Sequence, residues 1–183
     1  PTVANSTVAM AEIIARSGAT LIVSSNVGSI QAIAANLNAW VNFRNGTFFI
    51  ANLKTIISNL IGINPLDYVD IDSIIADPIA LGSLALSQPA VQALIVSPAA
   101  MATLAISPNI GVILSSPTAM ALIGPNNAAM ISFLDSSLAW GGLFSSSVAK
   151  GYIVASTGLV DSITSNSGLL TYLGTISVNN VAA

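Results

Sequence analysis

The segments SPAAMATLAI (97–106), SPNIGVILS (107–115) and SPTAMALIGP (116–125) follow one another without a gap from Ser97 to Pro125. They hold ten, nine and ten residues, each opens on Ser-Pro, and each places Leu or Ile at its eighth position (Leu104, Leu114, Ile123). Ser is a preferred N-cap, because its hydroxyl accepts from an amide of the first helical turn that has no other partner. Pro suits the next position, where its missing N–H costs nothing and its φ already fits a helix. The residue before a Pro is also pushed out of the α region, so each new Ser-Pro ends the helix before it. The stretch therefore predicts two-turn helices that stop and restart every ten residues.

The same phase extends in both directions. With the cap as position 1, restarts fall at Asp77, Ser87, Ser97, Ser107, Ser116, Asn126, Ser136, Ser146, Ser156, Asn166 and Ile176. Every step is ten residues except the nine from Ser107 to Ser116, where a shortened restart predicts a locally tighter superhelix. Position 4 is mostly Ala (Ala80, Ala90, Ala100, Ala119, Ala129, Ala139, Ala149), with Ile110, Leu159 and Leu169 in the other full repeats. Position 8 holds Leu84, Leu94, Leu104, Leu114, Ile123, Phe133, Leu143, Ile153, Ile163, Leu173 and Ala183, with no polar member. Positions 4, 5 and 8 share one helical face. Helices this short are marginal alone, so the repeats are expected to stack, with Ala allowing close approach and the position-8 residues filling the core.

Residues 1–44 keep the pattern in degenerate form: STVAMAEI (6–13) matches SPTAMALI (116–123), and Trp40 falls in register with Trp140. The segment 45–76 loses the phase. Its NLKTIISNLIGI suggests a longer helix or a joint, and its acidic part restarts at Asn64-Pro65. Residues 77–183 form the regular array. The expected fold is all-α, a solenoid-like superhelix of two-turn helices with a ten-residue repeat. The alternative is a β-solenoid, which apolar neighbours at positions 4 and 5 and the many Ala and Met residues disfavour.

The chain of 183 residues is 54% hydrophobic and 6% charged, with a net charge of −3. Polar or breaking residues interrupt each apolar run well short of the roughly 20 residues that span a bilayer, so no membrane insertion is expected. The absence of a basic patch argues against nucleic acid as a partner. The chain has neither Cys nor His, hence no disulfide, thiolate or imidazole chemistry. It opens on Pro1-Thr2-Val3 rather than a charged signal-peptide start, and is expected to be a processed chain or a fragment.

Few residues suggest chemistry. Asp67, Asp70 and Asp72, with Asp77 nearby, are weak candidates for a cation site, since hard cations favour clustered carboxylates. DIDSII lacks the further ligands and Gly of an EF-hand loop, and helix capping accounts for these acids as well. Trp40 and Trp140 are expected in the core or between chains, with sugar stacking as the alternative. Tyr152 and Tyr172, both at position 7, are expected at the flank of the buried face. No Ser lies in a nucleophile elbow, and Ser147 with Lys150 does not complete a Ser–Lys site. No catalytic residue, cofactor or enzymatic activity is expected. The site residues are the repeat core from Leu84 to Leu173 and the caps from Asp77 to Asn166.

Arrays such as SPTAMALIGP (116–125) and STVAMAEIIA (6–15) resemble the Ala/Met/Ser-rich decapeptide repeats of phage tail-fibre and related virion fibre proteins. The resemblance implies a structural role in a virus particle, as scaffold or spacer in a fibre or host-attachment appendage, beside other virion proteins. The alternative is a receptor- or glycan-binding adhesin of a phage or a bacterial cell surface. Apolar residues at positions 5, 6, 9 and 10 (Val91, Met101, Val112, Ile131, Leu134, Phe144, Val154) exceed what one inner face should absorb. Burial against identical chains, as a trimer or a larger assembly, is therefore expected.

Overall fold

The computed structural model describes residues 6–181, and side chains as far as Ile176. The helices are α1 (Thr7–Ile14), α2 (Ser17–Ser25), α3 (Val27–Ala34), α4 (Leu37–Arg44), α5 (Leu53–Ile61), α6 (Ile71–Ala76), α7 (Pro78–Leu86), α8 (Gln88–Ile95), α9 (Pro98–Ala105), α10 (Ile110–Leu114), α11 (Pro117–Ile123), α12 (Asn127–Leu134), α13 (Ser137–Ser145), α14 (Ser147–Ala155), α15 (Thr157–Ser165) and α16 (Ser167–Val181). Short 3-10 turns lie at Ile50–Asn52 and Pro65–Asp67. The fold is all-α. No strand forms among the described residues, so the β-solenoid alternative is disfavoured.

One extended residue makes most of the restarts. Ser97 has φ −102° and ψ 103°; its N–H donates to Leu104's counterpart in the previous helix, Leu94 O, at 3.0 Å, while its Oγ accepts from Ala100 N at 3.2 Å. At Asp77, Ser87, Ser146 and Ser156 one residue both closes a helix and opens the next. The chain direction turns by 106° between α1 and α2 and by 104° between α7 and α8. Most helices pack on their successor, and many again on the third helix along: α1 on α4, α2 on α5, α5 on α8, α6 on α9, α7 on α10, α8 on α11, α9 on α12, α10 on α13, α11 on α14, α12 on α15.

Two rows of neighbours widen the buried stripe to positions 4, 5, 8 and 9, as in Ala80, Leu81, Leu84 and Ala85 of α7 or Ala100, Met101, Leu104 and Ala105 of α9. This corrects the expectation that one face could not hold the apolar surplus. Val91, Met101 and Leu134 are buried within the chain, Val112, Ile131 and Phe144 are partly buried, and only Val154 of that set is exposed, at 76%. In the position-8 column, Leu84, Leu94, Leu104, Leu114, Ile123, Phe133, Leu143 and Ile153 are buried. Ile163 and Leu173 are half-buried instead, because they lie near the end of the helix series. Ala183 lies outside the described residues, and α16 runs through Ile176 with no restart there.

One further expectation changes. The nine-residue step shortens the helix and not the restart: α10 begins only at Ile110, after a turn at Pro108-Asn109, and has five residues. In the segment 45–76 a 3-10 turn at Ile50–Asn52 runs directly into α5, giving one helical run from Ile50 to Ile61. It stops at Gly62, whose φ of +75° is a left-handed cap that suits Gly. α5 packs on α2, α3, α7 and α8, so the core continues through the phase slip.

Candidate functional site

The cap column is where polar chemistry concentrates. Ser87, Ser97, Ser116, Asn126, Ser146, Ser156 and Asn166 each accept, through the side-chain oxygen, from the backbone N–H three residues on. Asp77 accepts from both Ile79 N and Ala80 N. Two caps depart from expectation. Ser107 Oγ accepts from Asn109 N, which belongs to the turn before α10 and not to the helix. Ser136 makes no side-chain cap, because Ala139 N donates to the Ser136 backbone carbonyl at 3.0 Å.

Several polar residues at the restarts have a second partner about thirty residues earlier, which the sequence did not announce. Ser116 Oγ also donates to Ala85 O at 2.7 Å, near the end of α7. Asn166 Nδ2 donates to Leu134 O, the last residue of α12, at 3.4 Å, and Asn109 Nδ2 donates to Ala76 O, the last residue of α6, at 2.9 Å. Carbonyls of a last helical turn lack intrahelical partners, and a later restart supplies them. Ser and Asn can accept and donate at once, whereas ionised Asp only accepts. That difference gives a physical reason for a column rich in Ser and Asn.

The weak cation-site candidates are not brought together. Asp67 accepts from Asn64 Nδ2 at 3.0 Å, Asp70 forms a reciprocal capping box with Ser73, and Asp72 lies in the first turn of α6. Asp77 Oδ2 accepts from Tyr68 OH at 2.7 Å. No three potential metal ligands cluster among the described residues. The hydrogen bond from Tyr68, followed by those from Ile79 and Ala80, holds the Asp77 carboxyl below its ordinary value. The same bond to Asp77 is the main cause that raises the Tyr68 phenol.

Trp40 is fully buried against Phe43 and Phe49, and its Nε1 donates to Gln92 Oε1 at 2.7 Å. Trp140 is half-buried, donates to Leu134 O at 2.7 Å and meets Tyr172 with ring centroids 5.4 Å apart. Tyr152 covers Gly124 so closely that a Cβ there would lie 2.1 Å from its ring.

Arg44 is the one ionisable group on the buried stripe of α4. Its guanidinium lies 5.7 Å from the Trp40 ring centroid and donates from Nη1 to Gln92 O at 3.0 Å. Burial lowers its pKa. It lines an open groove of about 490 Å³ with Gln92, Asn126 and Asn127. The amide oxygens of those three accept from Trp40, Ala129 and Ser156 respectively, which leaves N–H donors for the groove.

No single helix among the described residues is long and apolar enough to cross a membrane. No family model matches this chain, and no curated protein or solved structure shows significant similarity to it.

Proposed function

We propose that the chain is a solenoid with a ten-residue repeat and three helices per turn, and that it acts as a non-enzymatic scaffold or spacer. The observation that carries this reading is the recurrence of packing between helices three apart, unbroken from α5–α8 to α12–α15, tied by hydrogen bonds across about thirty residues. A quasi-one-dimensional stack in which each unit touches only near neighbours sets length and spacing by construction. Trp40 is buried, and Trp140, Tyr172 and Phe144 pack on one another, so the aromatics serve the stack more than an outer surface.

Together with the resemblance of the decapeptides to virion fibre repeats, this supports a place in a phage tail or fibre, in an oligomeric assembly with identical chains and other virion proteins. Immunogold electron microscopy of particles from the source culture tests it. Label along a tail or fibre supports the virion role; label confined to cell surfaces overturns it.

The Arg44 groove favours a second reading, an adhesin. Its donors suit an acidic or hydroxyl-rich ligand such as a carboxylated sugar. Titration calorimetry with acidic oligosaccharides tests this reading: binding lost in Arg44→Gln supports it, and no heat with any of them refutes it.

A further inference from the structure

Arg44 is a half-buried cation without a counter-ion. All seven acids of the chain lie among the described residues, and the one ion pair there joins Glu12 to Arg16. Arg44 Nη1 donates to Gln92 O, and the Trp40 ring lies against the guanidinium. Its Nε, however, is buried with no hydrogen-bond partner. A charge drawn out of water is costly unless it is paired. A ligand that brings negative charge to the groove offsets that cost.

The groove beside Arg44 donates and hardly accepts. Gln92 Oε1 already takes the Trp40 Nε1 hydrogen at 2.7 Å, Asn126 Oδ1 that of Ala129 N at 3.1 Å, and Asn127 Oδ1 that of Ser156 Oγ at 3.4 Å. Each of these bonds fixes which way its amide points and leaves the NH2 group for a ligand. Asn126 and Asn127 also stand at the N-terminal end of α12, whose dipole adds to the positive field. No Asp or Glu lines the groove. A neutral hydroxyl needs acceptors as well as donors, whereas an oxyanion only accepts. Charge and hydrogen bonding therefore select the same chemistry.

We propose that the groove is an oxyanion site, which holds a carboxylate, sulfate or phosphate group against Arg44 and the side-chain amides of Gln92, Asn126 and Asn127. Charge-assisted bonds from a guanidinium are the strong ones here. Ile95, Leu122 and Pro125 line the rest of its roughly 490 Å³, so the anionic group arrives on a larger body that covers them.

This inference rests on the groove of the second reading above and narrows what it takes from hydroxyl-rich or acidic ligands to the acidic group itself. Titration of the full chain with sodium sulfate, phosphate and acetate tests it, at an ionic strength held constant with chloride. Trp40 emission is followed in a Trp140→Phe background, and circular dichroism verifies that each variant keeps its helices. The expected result is a saturable change with at least one of the three anions, the tightest of which identifies the group, and none with glucose. Arg44→Gln raises the half-saturating concentration about tenfold or more. Asn127→Ala, at an exposed position, raises it too and serves if Arg44→Gln fails to fold; Lys150→Gln leaves it unchanged. No saturation with any of the three anions, an equal response in the folded variants and the parent, or a response to glucose that matches the anions overturns the proposal. Saturation by these anions with no heat from any acidic oligosaccharide leaves the oxyanion site standing and overturns the adhesin reading alone. Heat from oligosaccharides without any response to the anions overturns the oxyanion site alone.

Discussion

Ser116→Ala removes two hydrogen bonds at once, and the two act on different levels. As a cap, Ser116 Oγ accepts from Ala119 N at 3.2 Å; loss of such a cap costs about 0.5–2 kcal/mol. As a tie, the same hydroxyl donates to Ala85 O at 2.7 Å in a buried setting. The residue four beyond Ala85 is Pro89, which has no N–H, so the helix offers that carbonyl no replacement. An unsatisfied buried carbonyl adds about 1–3 kcal/mol. The expected total is about 2–4 kcal/mol. Ser146→Ala is the matched control, since Ser146 is half-buried and caps Ala149 N without an earlier partner. It should cost only about 1 kcal/mol. For a chain of this length each kcal/mol lowers the melting temperature by roughly 2–4 °C. Thermal and urea unfolding followed at the helical signal should separate the two variants clearly. Equal destabilisation would refute the idea that caps also join one turn to the next.

Leu104→Ala, at a site with no solvent exposure, should cost about 2–5 kcal/mol in the same unfolding assay. Gly124→Ala drives a Cβ into Tyr152 and should destabilise by about 1–3 kcal/mol, with recovery when Tyr152→Ala is added. Gly82→Ala, in the interior of α7 with nothing within 4 Å of the new Cβ, should instead stabilise by about 0.5–1 kcal/mol. Asp77 has a folded-state pKa below its ordinary 3.8, so its contribution is present at neutral pH and is lost as pH falls from about that value through the depressed one. Urea midpoints measured across acidic pH should show this loss in the parent chain and not in Asp77→Asn.

The local half of the fold is plain in the sequence because capping is local chemistry. Asp77-Pro78, Ser97-Pro98 and Ser116-Pro117 each open a helix where the two letters say one begins. The position-8 column from Leu84 to Ile153 is legible for the same reason, since one face of a two-turn helix is fixed by spacing alone. What a helix packs against is not local. It depends on the angle turned at each extended residue, 106° or 104° where it is known, and no residue type encodes that angle. Hence the return after three helices, the burial of Met101 and Leu134, and the second bonds of Ser116 and Asn166 stay hidden in a column of ten-residue units. Ser107 looks like its neighbours but caps no helix, because the nine-residue step leaves α10 too short to begin beside it. Arg44 was missed, though it stands at position 9, where no other repeat carries a charged residue. The cue was its spacing of four from Trp40, which places the guanidinium over the indole ring.

The central claim, that the chain returns on itself after three helices, has a direct test in a chain without native Cys. A Cβ at Gly142 would lie 3.3 Å from Leu114 Cβ, close to disulfide geometry. The double variant Leu114→Cys, Gly142→Cys should therefore close an intramolecular disulfide under mild oxidation, detected by mass and by faster migration on a non-reducing gel, and should fail to close preferentially in urea. Two free thiols in the folded protein, or links only between molecules, would contradict the three-helix turn.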